Sequence, residues 1–380
     1  MIKYKSICFF LIYFASFLSG CREPYDPDIS KYDNILVVDG LITDREGPHI
    51  VRLSRSFAFD ENYPAPEEGA VVKIIDEDLN EYLLSEDEPG LYLSSSSLKG
   101  QAGISYQLSL TTADRKRYES EWVKLRNVPE IEDLSWEFRE KAVTDPSESL
   151  YGVQIMVSTR DPRNETRYYR WEWTETWEFI TPIVSSIYPG EQRCWKNTGS
   201  STINIGTTEH LTKDVLQDHP LCFISTETNK LKIRYSILVS QYSLSRSEYA
   251  YWKNLREITQ NTGSLFDPTP AAVEGNIHSQ DDPSLPAVGI FQASAVSRKR
   301  IFIDRSDLPG FLNIPSGFEG CDFFTTADSA EIAYYFDHGY AYVDEYVDGN
   351  TLYFIFSNSP VCFRCTLAGT NVKPDFWTEE

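Results

Sequence analysis

Five cysteines in the body of the chain pose the first question of chemistry: Cys194, Cys222, Cys321, Cys362 and Cys365. Cys362-Phe363-Arg364-Cys365 has the CxxC spacing of a redox dithiol or of half a zinc site. A thioredoxin-like dithiol needs a βαβ context with a helix behind the motif, and only 15 residues follow Cys365. Two readings then remain. One is a four-thiolate zinc site completed by Cys194 and Cys321. The other, favoured in an oxidising compartment, is a pair of structural disulfides from Cys362 and Cys365 to two of the other three cysteines. Cys222, between Leu221 and Phe223, is the expected leftover thiol, which makes Cys194, Cys321, Cys362 and Cys365 the disulfide candidates.

The remaining chemistry-bearing residues show less order. The histidines His49, His210, His219, His278 and His338 have no HExxH or other metal-ligand spacing. His278 precedes Asp281 and Asp282, but the Gly and terminal Glu of an EF-hand loop are missing, so a solvated loop is expected. No GxSxG, phosphate-binding loop or dinucleotide fingerprint occurs. With 57 acids, carboxylate pairing alone carries no argument for a glycosidase. Asp328-Ser329-Ala330 resembles the Asp-Ser/Thr-small sites that are O-glycosylated on exported Bacteroidota proteins, with an ordinary turn as the simpler reading. The expectation is a protein without catalytic residues, metal or cofactor.

Cys21 differs from the other cysteines. Lys3 and Lys5, an apolar run from Ile7 to Leu18, and then Ser19-Gly20 precede it. That is the layout of a secretory signal, and too short for a bilayer span, which needs about 20 apolar residues. Leu18-Ser19-Gly20-Cys21 reads as a bacterial lipobox, in which the Cys thiol is acylated and becomes the mature N-terminus. Residues 1–20 are thus expected to be a lipoprotein signal peptide, with palmitate-type acyl chains on Cys21 holding the protein to the membrane. Residues 21–34, beginning Cys21-Arg22-Glu23-Pro24-Tyr25-Asp26-Pro27-Asp28, read as an acidic tether that forms neither helix nor strand.

Elements must then position whatever the protein handles. Removing residues 1–20 takes away two lysines and no acids, so 33 basic residues face 57 acidic ones, a net −24. Such a surface repels nucleic acid and anionic membrane alike. Aromatic residues make up 14 per cent, and short Val/Ile/Thr-rich runs recur, so the fold class is mainly β. Seven alternating runs, among them Ile35–Ile42, His49–Ser54, Ala70–Ile75 and Ser105–Leu110, predict an immunoglobulin-like β-sandwich over 35–127. Asn127-Val128-Pro129-Glu130 marks a boundary. Beyond it, 128–380 reads as a larger β-rich domain with one prominent helix over about 246–261. That helix opens on the capping box Ser245-Arg246-Ser247-Glu248. It carries Tyr251, Trp252, Leu255 and Ile258 on one face, with Gly263 as its C-terminal cap. The stripe is expected to pack on a sheet.

Taken together, several stretches resemble a family of Bacteroidota outer-membrane lipoproteins, the domain-of-unknown-function family 4249. They are Cys21–Tyr25, Leu36–Thr43, Arg234–Val239 with Gln241, Tyr251-Trp252, Gly275-Asn276-Ile277, Lys299–Ile303 and Asn371–Trp377. Near the C-terminus the family pattern is similar to Cys-x-Asp-Cys followed by paired glycines, where this chain has Cys-Phe-Arg-Cys and Gly369. The resemblance implies no catalytic residues. It implies a lipid-anchored protein of the outer membrane, facing the cell exterior, that serves a TonB-dependent receptor as a non-enzymatic accessory or ligand-capture partner. An independent adhesion or scaffold lipoprotein is the alternative expectation, and a peptide or glycan hydrolase a third.

Overall fold

The computed structural model describes residues 34–56, 64–142, 149–260, 273, 275–282 and 286–378. The signal peptide, Cys21, nearly all of the tether and the cap assigned to Gly263 lie outside the described residues. The protein is mainly β: among the described residues about half lie in strands and two segments form α-helices.

The N-terminal sheet follows the alternating text closely. Strands Leu36–Thr43, Ile50–Arg55, Val71–Asp76, Leu91–Leu93, Ser105–Thr111 and Arg117–Ser120 bury about every second side chain, while Glu81–Glu88 buries Leu84 alone. Leu36, Val38, Ile42, Val72, Ile74, Leu108 and Leu110 face one core, as the two-residue period of a strand requires. Glu81–Glu88 pairs through its first half with Val71–Asp76 and through its second half with Leu91–Leu93. The hand-over falls between Leu84 and Ser85, and a register shift follows between Glu86 and Glu88.

Both outer edges of this sheet are covered by residues from far along the chain. Ile277–Ser279 pairs with Arg117–Ser120, and Ala287–Ser294 runs parallel to Leu36–Thr43 over eight register pairs. The Asn276 side chain then bonds both main-chain groups of Phe291, at 2.8 and 2.9 Å, and brings the two edges together into a near-barrel. Gly289 lies in this parallel strand at φ +116°, where a Cβ would stand 1.9 Å from the Val38 carbonyl oxygen.

Past the Pro129 linker, Ile131–Ala142, Ser149–Arg160 and Val215–Ser225 form a three-stranded sheet. It packs on a five-stranded one made of Arg193–Gly199, Tyr168–Ile180, Arg234–Leu244, Val296–Asp304 and Asn204–Thr207. Val153, Ile155 and Val157 meet Tyr169, Trp171, Tyr235, Ile237 and Val239 in this second core. The Trp171 indole donates to Gln241 at 2.8 Å, and Gln241 donates to the Pro129 carbonyl at 2.9 Å, which fixes the linker against the core. Only Ala295 separates the parallel strand of the first sheet from Val296–Asp304 of the second.

A third, small unit follows. Phe323–Thr326, Ala341–Asp348 and Thr351–Ser357 form a sheet beside the short helix Ser329–Asp337. Asp328-Ser329-Ala330, which resembles an O-glycosylation site and has a turn as its simpler reading, is not a turn. It is the start of this helix, where Asp328 accepts from the amides of Ala330 and Glu331 and so caps it.

Candidate functional site

Cys194 bonds to Cys365, and Cys321 to Cys362. The two cysteines of the CxxC therefore take different partners and cannot cycle as one dithiol. Cys222 is the free, half-buried thiol. Burial, with a smaller push from the Glu175 carboxylate, raises its pKa to about 12, so it carries almost no thiolate at neutral pH. His278 is exposed, 3.5 Å from Glu121, and Asp281 accepts three hydrogen bonds from Arg117 instead of facing a cation. Among the described residues no three His, Cys, Asp or Glu side chains converge as a metal site.

The prominent helix spans Arg246–Gln260. Its capping box is formed as expected: the Ser245 amide donates to Glu248 at 2.6 Å and the Glu248 amide to Ser245 Oγ at 3.2 Å. Trp252 does pack on the sheet, together with Tyr249, against Tyr168, Ile205 and Leu244. Tyr251 turns instead toward the seam with the N-terminal sheet, lining a cavity of about 290 Å³ with Trp122, Lys124, Arg126 and Asn276.

The most polar convergence lies a few residues away, where the first and second sheets meet. Tyr168–Ile180 alternates strictly at its start, so that Tyr169 and Trp171 enter the core while Arg170 and Glu172 face the seam. The Arg170 guanidinium sits between the Trp252 ring, 4.3 Å away, and the Tyr242 ring, 5.1 Å away, and is 7 per cent exposed. Its Nη1 donates to Glu172 at 2.5 Å. From the first sheet, Asp39 and Arg52, cross-strand partners 3.9 Å apart, close the other wall. A cavity of about 280 Å³ lies between them, lined also by Arg45, Glu46 and Arg298. Two further hollows, of about 360 and 170 Å³, share Glu172 with it and extend past Ser200, Ser240 and Asn204.

This groove gathers four arginines in a chain whose formal charge is −22, and sets them among aromatic faces and hydroxyls. Guanidinium forks, rings and hydroxyls hold and orient a polar ligand. Burial first, and then the Glu172 carboxylate, push the Tyr242 phenol up to about 12, so it stays protonated as a donor. The histidine in the wall, His49, is tied into the backbone. Its Nδ1 accepts from the Thr43 amide at 3.4 Å, which leaves the proton on Nε2 for the Leu98 carbonyl at 3.1 Å. Burial lowers its pKa and keeps it neutral. The wall offers binding groups.

None of Arg170, Glu172, Tyr242, Asp39 or Arg52 is singled out by motif reading. A signal was present in the strand Tyr168–Ile180, where charged Arg170 and Glu172 alternate with buried aromatics instead of the usual small polar residues.

A family model described as domain of unknown function (DUF4249) matches residues 22–300. The matched span takes in both walls of the groove and ends before the disulfide-bonded C-terminal region, including Asn371–Trp377. No curated protein matches the chain.

Proposed function

The chain belongs to the DUF4249 family, and from that premise we propose that it is a non-enzymatic, surface-exposed lipoprotein of the outer membrane. In this reading acyl chains on Cys21 hold it beside a TonB-dependent transporter, and the groove at Arg170 captures ligand for that transporter. The observation that carries the proposal is the groove itself: a buried guanidinium stacked between two rings, with three further arginines in the wall. The lipobox Leu18-Ser19-Gly20-Cys21 and the acidic residues behind it support the location.

The N-terminal sheet supports a second reading. Its strand pairings fall into two sets joined through Glu81–Glu88: Leu36–Thr43, Ile50–Arg55 and Leu91–Leu93 on one side, and Val71–Asp76, Ser105–Thr111 and Arg117–Ser120 on the other. We take this as an immunoglobulin-like module, which an adhesion or scaffold lipoprotein would use equally well.

Co-purification of the full-length protein from detergent-solubilised membranes separates the two. A stoichiometric β-barrel partner is the expected result, and its absence refutes the transport reading. Turnover on a panel of peptides and glycans, abolished by changing a clustered acid pair, would bring back the hydrolase.

A further inference from the structure

The C-terminal unit from Phe323 to Ser357 contains no lysine or arginine and six acids: Asp328, Glu331, Asp337, Asp344, Glu345 and Asp348. It is also densely aromatic, and its rings are only partly used. Val343 and Phe356 are fully buried and supply its centre. The helix Ser329–Asp337, in contrast, has no buried residue. Tyr334 and Phe336 on that helix are 51 and 54 per cent exposed. Ring contacts continue from Phe336 to Tyr342 and on to Phe354 across the sheet. Toward the hairpin tip the exposed cross-strand pair Val347 and Leu352 continues this face, while Tyr346 and Tyr353 stack at 5.2 Å on the opposite one. An apolar surface of this kind, rimmed by charge, marks a contact face.

The face is held rigidly. Cys321–Cys362 closes its base, Ser186 donates to Asp344 through both its amide and its hydroxyl, and Ser185 donates to the Val343 carbonyl. Ordering costs on binding are therefore small.

Charge decides the occupant. A second copy would set six acids against six, and an anionic membrane surface is repelled in the same way. The chain's own residues 22–33 carry four acids and two basic residues and offer no complement. We propose that the Phe323–Ser357 unit is a docking face for a protein partner whose contact surface is apolar at its centre and lined with lysine or arginine at its rim. The proposal rests on the transporter reading above and assigns the receptor-facing side of the molecule to this unit, which contributes no residue to the Arg170 groove.

The test uses the full-length lipoprotein in its own membrane. A photo-reactive side chain is placed at Phe336, and as a control at Val71, which is 50 per cent exposed on the N-terminal sheet. The expected result is a cross-link from position 336, absent from position 71, to the β-barrel protein that co-purifies with the wild type. Asp337→Lys combined with Asp348→Lys, both exposed and with no side-chain hydrogen bond or ion pair among the described residues, should lower recovery of that partner at least about tenfold, which corresponds to about 1.4 kcal/mol. Raising salt should weaken the wild-type complex as well. A reversed-charge protein that folds and recovers its partner at wild-type yield overturns the docking face and leaves the transporter reading standing. Equal cross-linking from both positions does the same. If the wild type recovers no barrel partner at all, both proposals fall.

Discussion

At the end of the strand Val71–Asp76, one carboxylate holds a turn together. Asp76 accepts from the amides of Asp78 and Asn80, from Asn80 Nδ2 at 2.9 Å and from the Tyr82 hydroxyl at 3.0 Å. Burial alone would raise its pKa, but the bonds from Asn80, Tyr82 and Asp78 outweigh burial and hold it below 3.8. A carboxyl depressed in the folded state contributes stability above its unfolded value and loses it as pH falls through the folded one. Asp76→Ala should therefore cost about 1–3 kcal/mol in denaturant unfolding at neutral pH, with the gap from wild type closing below pH 3.8. Gly289 makes a second prediction at this scale. Its φ of +116° and the Val38 carbonyl 1.9 Å from a built Cβ leave no room for a side chain. Gly289→Ala should destabilise by about 1–3 kcal/mol or more in the same assay, through strain and loss of strand pairing. Asp76-Glu77-Asp78-Leu79-Asn80 could be read from sequence as a turn, because Asp and Asn bond to their own backbone. The need at Gly289 could not, since it arises from a strand about 250 positions earlier in the chain.

Among elements, legibility followed locality. The seven N-terminal runs fall within a few residues of the observed strands because alternation is written into neighbouring positions. The helix Arg246–Gln260 announced itself by its capping box. The helix Ser329–Asp337 did not, because its aromatic residues bury no face that would impose a helical period. The disulfides act on the same scale. Cys194–Cys365 ties the strand Arg193–Gly199 to the C-terminal turn across 171 positions of sequence. Replacing Cys194 and Cys365 by serine should cost about 2–5 kcal/mol, read as a lower unfolding midpoint without reductant. Cys222 should resist iodoacetamide at pH 8 in the folded protein lacking residues 1–21, given a thiol pushed up to about 12, and react once denaturant exposes it. Rapid labelling of the folded protein would contradict this.

At the scale of the molecule, the first sheet is not finished by the residues that begin it. Leu36–Thr43 would be an edge strand if the chain stopped at the Pro129 linker, with a row of open backbone groups. Phe291, Ala293 and Ile277, all buried in the first core, would be missing from it as well. A fragment of residues 34–128 should therefore aggregate or unfold without cooperativity. The same fragment joined through a flexible linker to residues 275–295 should show one cooperative transition, because that segment covers both edges at once. The parallel pairing needs a long crossover, and here the crossover is the second sheet. Because Ala295 alone joins the two sheets at that point, and the Ser243 amide bonds Ser294 Oγ at 3.0 Å, closing the first sheet also fixes one wall of the groove against the other. Asp39 and Arg52 would otherwise have no set distance from Arg170. If the short fragment alone folds as stably as the joined one, the returning strand is an ornament and the groove's geometry must be held from elsewhere. If only the joined fragment folds, the order in which the chain crosses between sheets is what places the groove.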